Sequence, residues 1–156
     1  IPVFNIDEPM AREAVKLGRR LGIIATVPTS PAATVRQLNY AAAEAGVKIK
    51  TQIVVNEKAF KHLLAGEIEQ HNELVHREMD RLARKVDVLV LGQISLAQIK
   101  HEVRVPVLQV GHSGLAEARR LLNLPRANGN GNGPSVATAR TPAPVTSARR
   151  PAISCG

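Results

Sequence analysis

The chain has 156 residues, with 21 lysines and arginines against 13 aspartates and glutamates, giving a net charge of +8. Aromatic residues make up 2 % of it and Cys155 is the one cysteine, which excludes the stacking platforms of a single-stranded nucleic-acid binder, an internal disulfide and a multi-thiolate metal site. The length suits one domain, no apolar run approaches the roughly 18 residues of a membrane span, and no charged-then-apolar leader opens the chain. A soluble cytoplasmic protein with no membrane or nucleic-acid partner is expected.

The opening run IPVFNI, residues 1–6, has the apolar content of a strand. It begins without Met or a preceding turn, as a fragment or a processed chain would. Asp7, Glu8 and Pro9 then open a helix, with Asp7 as the expected cap and Met10, Ala14, Leu17 and Leu21 along its apolar side. LGIIATV, residues 21–27, is almost wholly apolar, as a parallel strand covered on both faces should be. The loop Thr26–Ser30 follows, and Ser30 before Pro31 predicts a cap and a first helical position. That helix should run to Ala45 and stop at Gly46.

VKIKTQIVV, residues 47–55, predicts a strand nearer an edge, because it alternates before turning apolar. Two helical stretches follow, from about Glu57 to Gly66 and from Glu67 to about Val86. In the second, Ile68, Val75, Met79, Leu82 and Val86 mark one face, and Glu69, Glu73, Arg77 and Arg81 the solvated one. DVLVL, residues 87–91, is the next strand, running into Gly92. A short helix or turn is expected from Ser95 to about His101. PVLQV, residues 106–110, is the last strand, and Gly111, His112 and Ser113 form the loop to a final helix carrying Leu115, Ala118, Leu121 and Leu122.

After Leu124 the composition changes to a Gly-, Pro-, Ala- and Arg-rich segment with few large aliphatics. Such a stretch cannot bury enough apolar surface to offset its ordering entropy, so 125–156 is expected to be a disordered tail. Its four arginines and no acid supply half of the net charge. They are scattered rather than clustered on a face, so they make a poor nucleic-acid footprint.

Residues 21–124 therefore predict an α/β domain, a doubly wound four-stranded parallel sheet of order 2-1-3-4. The strand and helix of residues 1–20 are left over, as a remnant of an incomplete N-terminal domain. Their unpartnered apolar surface should promote self-association into a homo-oligomer. In an open parallel sheet, ligands sit beyond the carboxyl ends of the strands where the winding reverses. Here that point lies between the strands ending at Thr26 and Leu91. The loops TVPTS (26–30) and GQIS (92–95), with GHS (111–113) beside them, carry hydroxyls near helix starts. Such groups cradle a carboxylate, so Thr26, Thr29, Ser30 and His112 are candidates for binding a small carboxylate ligand.

No GxGxxG follows the first strand and no GxxxxGK[ST] is present; GNGNG at 129–133 lies in the tail, without a strand before it or a helix after it. No nucleotide or other cofactor is expected. His71 and His76 stand about 140° apart on a helix, so they do not chelate, and no metal site emerges. His76 and Asp80 have the spacing of a surface pair. Cys155 has nothing fixed near it to activate its thiol.

The segments PVFNIDEPM (2–10), RRLGIIATVPTSPAATVRQL (19–38), HNELVHREMDRLARKVDVLVLGQISLAQI (71–99) and VPVLQV (105–110) together resemble the C-terminal portion of aspartate/glutamate/hydantoin racemases. The resemblance implies a racemase-like α/β fold and a substrate held between two similar domains. It also implies cofactor-independent exchange of the proton on an acidic carbon between two cysteines. The family's second cysteine lies in an LGC motif, which here reads Leu91, Gly92, Gln93, and its first belongs to the domain upstream. Two-cysteine racemisation is therefore not expected of this chain. The hydroxyl-bearing loop that contacts substrate carboxylate in the family corresponds to Thr26–Ser30. With the thiol gone, Gln93 and Ser95 are the candidate catalytic residues, Gln93 as a donor to a substrate or to an enolate-like oxygen. The alternatives are an inactive, truncated racemase-like domain with at most anion binding, and a decarboxylase or isomerase activity in a longer parent.

Overall fold

The computed structural model describes residues 3–122. The expected tail, with Cys155, lies outside the described residues, as do Ile1 and Pro2. The elements in chain order are α1 (Glu8–Leu17), β1 (Arg20–Ala25), α2 (Ser30–Glu44), β2 (Lys50–Val55), α3 (Glu57–Leu64), α4 (Ile68–Ala83), β3 (Val88–Leu91), β4 (Val107–Gln109) and α5 (Val110–Leu121), with a 3₁₀ turn at Ile94–Leu96.

The four strands are all parallel and lie in the order β2-β1-β3-β4. Side-chain alternation divides the core in two. Leu21, Ile23, Val88 and Val90 point into one layer, with Met10, Ala14 and Val15 of α1, Leu38, Ala41 and Ala42 of α2, and Val110 of α5. Ile24, Leu89 and Leu91 point into the other, with Ala59 of α3, Val75, Met79 and Leu82 of α4, and Leu96. β3 is buried along its whole length because helices cover both faces, which is why VLVL shows no polar alternation. β2 is an edge strand and half-exposed, as its polar residues predict.

The expected strand at residues 1–6 is not formed over the part described. Residues 3–5 are irregular and Ile6–Asp7 form a turn. Asn5 explains this: its Oδ1 accepts from the Asp7 N–H at 3.0 Å and its carbonyl from the Glu8 N–H at 3.0 Å. A side chain that binds its own backbone two residues on makes a turn, not a ladder. Asn5 thereby leads into α1, whereas the expected cap Asp7 makes no side-chain capping bond. Ile6 then packs against Gly114 of α5.

At the amino edge of the sheet Asp87 fixes the pairing of β1 with β3. Its carboxylate accepts from the Arg19 and Arg20 N–H groups at 3.1 and 2.9 Å and from the Arg20 guanidinium at 2.6 and 3.0 Å. The Arg20 side chain and these two N–H groups hold the Asp87 carboxyl down at about 2.

Candidate functional site at the carboxyl edge of the sheet

β1 and β3 pair with Ile24 opposite Leu91. Carrying that register two residues further sets Thr26 opposite Gln93, both on the α3–α4 side, since residue parity fixes the face. The side chains meet as this predicts. The Thr26 N–H donates to Gln93 Oε1 at 2.6 Å, and the Thr26 hydroxyl lies 3.4 Å from the same oxygen. An N–H can only donate, so the carboxamide atom facing it is the oxygen, and Nε2 with its two hydrogens is left as a donor. Nε2 has no hydrogen-bond partner among the described residues. Thr26 is fully buried, and Gln93 is half-buried.

Gly92 lets the chain pass this point. A Cβ there would lie 3.0 Å from Thr34 Cγ2, and closer still to Thr34 Oγ1. The close approach brings α2 against the β3 end, at the residue that precedes Gln93. Sequence reasoning passed over both Gly92 as a packing residue and Thr34, which is 2 % exposed.

The other predicted residues take different positions. Thr29, not Ser30, is the cap position of α2; Ser30 is the first helical residue, and no side-chain capping bond forms. Thr29 is exposed and Ser30 half-buried. Ser95 is exposed in the middle of the 3₁₀ turn. The expected loop 111–113 is helical, because α5 begins at Val110, directly after β4. Val110 is buried in the core and Gly111 admits Ile94 alongside, its virtual Cβ 3.3 Å from Ile94 Cδ1, so the helix starts without a loop. His112 is thus exposed on the first turn of α5, beside the 3₁₀ turn rather than on a loop.

A residue the sequence reading missed supports this region. Gln109 is 8 % exposed, and its Nε2 donates to the Ile99 and Leu96 carbonyls at 2.8 and 3.3 Å. It pins the segment that follows Ser95. The signal was one amide inside the apolar run VPVLQV.

A family model described as Asp/Glu/hydantoin racemase matches residues 1–118. The chain belongs to the Asp/Glu/hydantoin racemase family. Solved structures of a glutamate and an aspartate racemase share its fold. A glutamate racemase isoform from Bacillus anthracis is 19 % identical, with a TM-score of 0.51 over 79 % of this chain and 49 % of that one. An aspartate racemase from Picrophilus torridus is 15 % identical, with a TM-score of 0.58 over 77 % of this chain and 52 % of that one. An allantoin racemase from Pseudomonas fluorescens is 22 % identical, with a TM-score of 0.47 over 80 % and 55 %. The chain spans about half the length of these racemases. No curated protein matches it.

In this racemase-family domain two surface grooves lie away from Thr26 and Gln93. One, of about 300 Å³, runs between β2 and α4 beside Gln52, Arg81 and Lys85. The other, of about 490 Å³, runs between α1 and α5, and its charges are mostly paired, Arg12 with Glu8 and Arg120 with Glu117. Among the described residues no group of three or more His, Cys, Asp or Glu side chains could hold a metal, and no helix is long and apolar enough to cross a membrane. The expected His76–Asp80 pair is replaced: His101 Nε2 donates to Asp80 Oδ1 at 2.9 Å, and the His76 and His101 rings stack at 4.3 Å. The segment after the 3₁₀ turn lies over α4, where His101 takes Asp80 and stacks on His76.

Proposed function

We propose that this chain is a racemase-type domain that binds a small carboxylate at the Thr26–Gln93 edge and does not by itself carry out two-thiol racemisation. The observation that carries this reading is the 2.6 Å hydrogen bond from the Thr26 N–H to Gln93 Oε1. A backbone N–H at that point would lower the pKa of a thiol on residue 93 and hold it as thiolate. Here a neutral amide oxygen takes up that N–H, and a carboxamide does not serve as a general acid or base at neutral pH.

The donors that remain suit an anion's oxygens. Gln93 supplies Nε2, the first turn of α2 supplies backbone N–H groups, and Thr29 and Ser95 supply exposed hydroxyls. Gln93 Nε2 also supports a second reading, in which a longer parent carries out a decarboxylation or isomerisation and this amide stabilises an enolate-like oxygen. No resident cofactor enters either reading, and a cytoplasmic location is proposed with them.

The test is exchange of the α-proton of aspartate and glutamate in deuterated water, with calorimetric titration of small carboxylates alongside. The Cys155→Ala chain is expected to bind a carboxylate without exchanging its α-proton. Exchange that persists in Cys155→Ala contradicts the inactive reading, and absence of carboxylate binding contradicts the site.

A further inference from the structure

His71 is 1 % exposed, although its helix reads as largely solvated. Its Nδ1 lies 2.9 Å from the Ala59 carbonyl oxygen. A carbonyl only accepts, so Nδ1 carries the hydrogen, and in the neutral imidazole Nε2 is then a bare lone pair. Nε2 is buried and has no hydrogen-bond partner among the described residues. Buried acceptors in folded proteins are nearly always matched with a donor, so this one calls for an explanation.

A continuous hydrogen-bond chain ties His71 to the carboxyl edge. Gln93 Oε1 accepts from the Thr26 N–H at 2.6 Å. The carbonyl of that same peptide, Ala25 O, accepts from the Asn56 N–H at 2.9 Å. Asn56 Oδ1 accepts from the Ala59 N–H at 3.1 Å, and the Ala59 carbonyl accepts from His71. Topology agrees. α4 runs antiparallel to the strands, so His71, the most N-terminal of its buried residues, lies toward their carboxyl ends on the face that Thr26 and Gln93 share.

The site so far offers mainly donors: Gln93 Oε1 is taken up by the Thr26 N–H, and beyond the Thr29 and Ser95 hydroxyls there is no dedicated acceptor among the described residues. We infer that His71 supplies it, as a specificity-determining residue whose Nε2 accepts from an O–H or N–H group carried beside the ligand's carboxylate. This rests on the carboxylate site proposed above. It selects acids with a neighbouring donor over plain acids, because a donor brought to this position satisfies a buried lone pair and a methylene leaves it unpaired. Nε2 is covered from solvent here, so a ligand donor reaches it only by displacing that cover, and binding changes the surroundings of the imidazole directly.

The experiment is an NMR titration of the full ¹⁵N-labelled chain, followed at its imidazole nitrogens and backbone amides. The probes are malate and succinate, which differ by one hydroxyl. The inference predicts an Nδ1–H tautomer for His71 in the free chain, perturbation of residues 26–30 and 92–95 by both acids, and movement of His71 Nε2 by malate alone. His71→Asn keeps an amide N–H that can donate to the Ala59 carbonyl and places its own oxygen where the ring has Cδ2, so no acceptor remains at the Nε2 position. It should weaken malate about fivefold and leave succinate within about twofold. Loop shifts with His71 Nε2 unmoved by malate, or equal weakening of both acids in His71→Asn, overturn the role of His71 and leave the carboxylate site standing. If neither acid perturbs the loops, the carboxylate site is wrong and the inference falls with it. The wild-type titration decides the matter even where His71→Asn does not fold.

Discussion

Gly92 has room for a hydrogen and for nothing larger, because the Thr34 side chain occupies the place of a Cβ. Gly92→Ala should destabilise the fold by about 1–3 kcal/mol, the ordinary cost of overpacking. Thr34→Ala should recover much of that in a double-mutant cycle read by urea denaturation; additive losses would show that the contact is not the cause. Asp87 yields a prediction in pH. Its carboxyl is held at about 2, below its ordinary 3.8, so its contribution to stability is fully present above about pH 4 and is lost as the pH falls toward 2. Wild type should be the more stable at neutral pH, and its advantage over Asp87→Asn should shrink across that window. An advantage that does not change with pH would contradict the role given to the two arginine N–H groups.

Among the elements, the stretch from the 3₁₀ turn to β4 is where polar contacts decide the structure. Gln109 holds its first part by two carbonyls, Arg104 Nε donates to the Ala83 carbonyl at 2.9 Å, and the His76–His101 stack lays it on α4. Gln109→Leu leaves two carbonyls without their donor. It should cost about 1–3 kcal/mol and speed amide hydrogen exchange over residues 94–103 before it affects β1 or β3. Burial, and then the charge on His101, hold His76 below the ordinary imidazole range, with Asp80 opposing. A base with a depressed folded pKa binds protons more readily when unfolded. Stability should therefore be full above about pH 6.5 and fall as the pH drops below it, more steeply than in His76→Phe. Equal slopes would remove the stack from the account.

The strands and their order were legible at this scale, because LGIIATV and DVLVL carry the unbroken apolar signature of strands covered on both faces. The irregular start was not, because the Asn5 side chain competes locally with strand pairing in a run whose composition is strand-like. The start of α5 was missed for the opposite reason. Gly111, His112 and Ser113 have the composition of a loop, and only the burial of Val110 and the approach of Ile94 make them helical. At the site, the meeting of Thr26 with Gln93 follows from register and parity. The Gln93 orientation, the Gly92–Thr34 contact and the buried His71 depend on three-dimensional neighbours that a linear pattern does not encode.

The chain carries the racemase-family fold over about half the length of the racemases compared with it. Outward-facing Leu17 on α1, Leu115 on α5 and Leu122 just after α5 are each about half-exposed, and they are the surface through which we propose the chain self-associates. Light scattering should then give a mass above 16.8 kDa, falling toward that value in Leu115→Glu; a wild-type monomer at high concentration would contradict it. The central claim is that Thr26 and Gln93 form the floor of a carboxylate site. The most direct measurement is the change in amide resonances of the full chain on titration with succinate. Saturable shifts confined to Thr26–Ser30 and Gly92–Ser95, with the Gln93 side-chain amide among them, are the predicted result. Shifts centred on the groove between α1 and α5, or none at all, would contradict it.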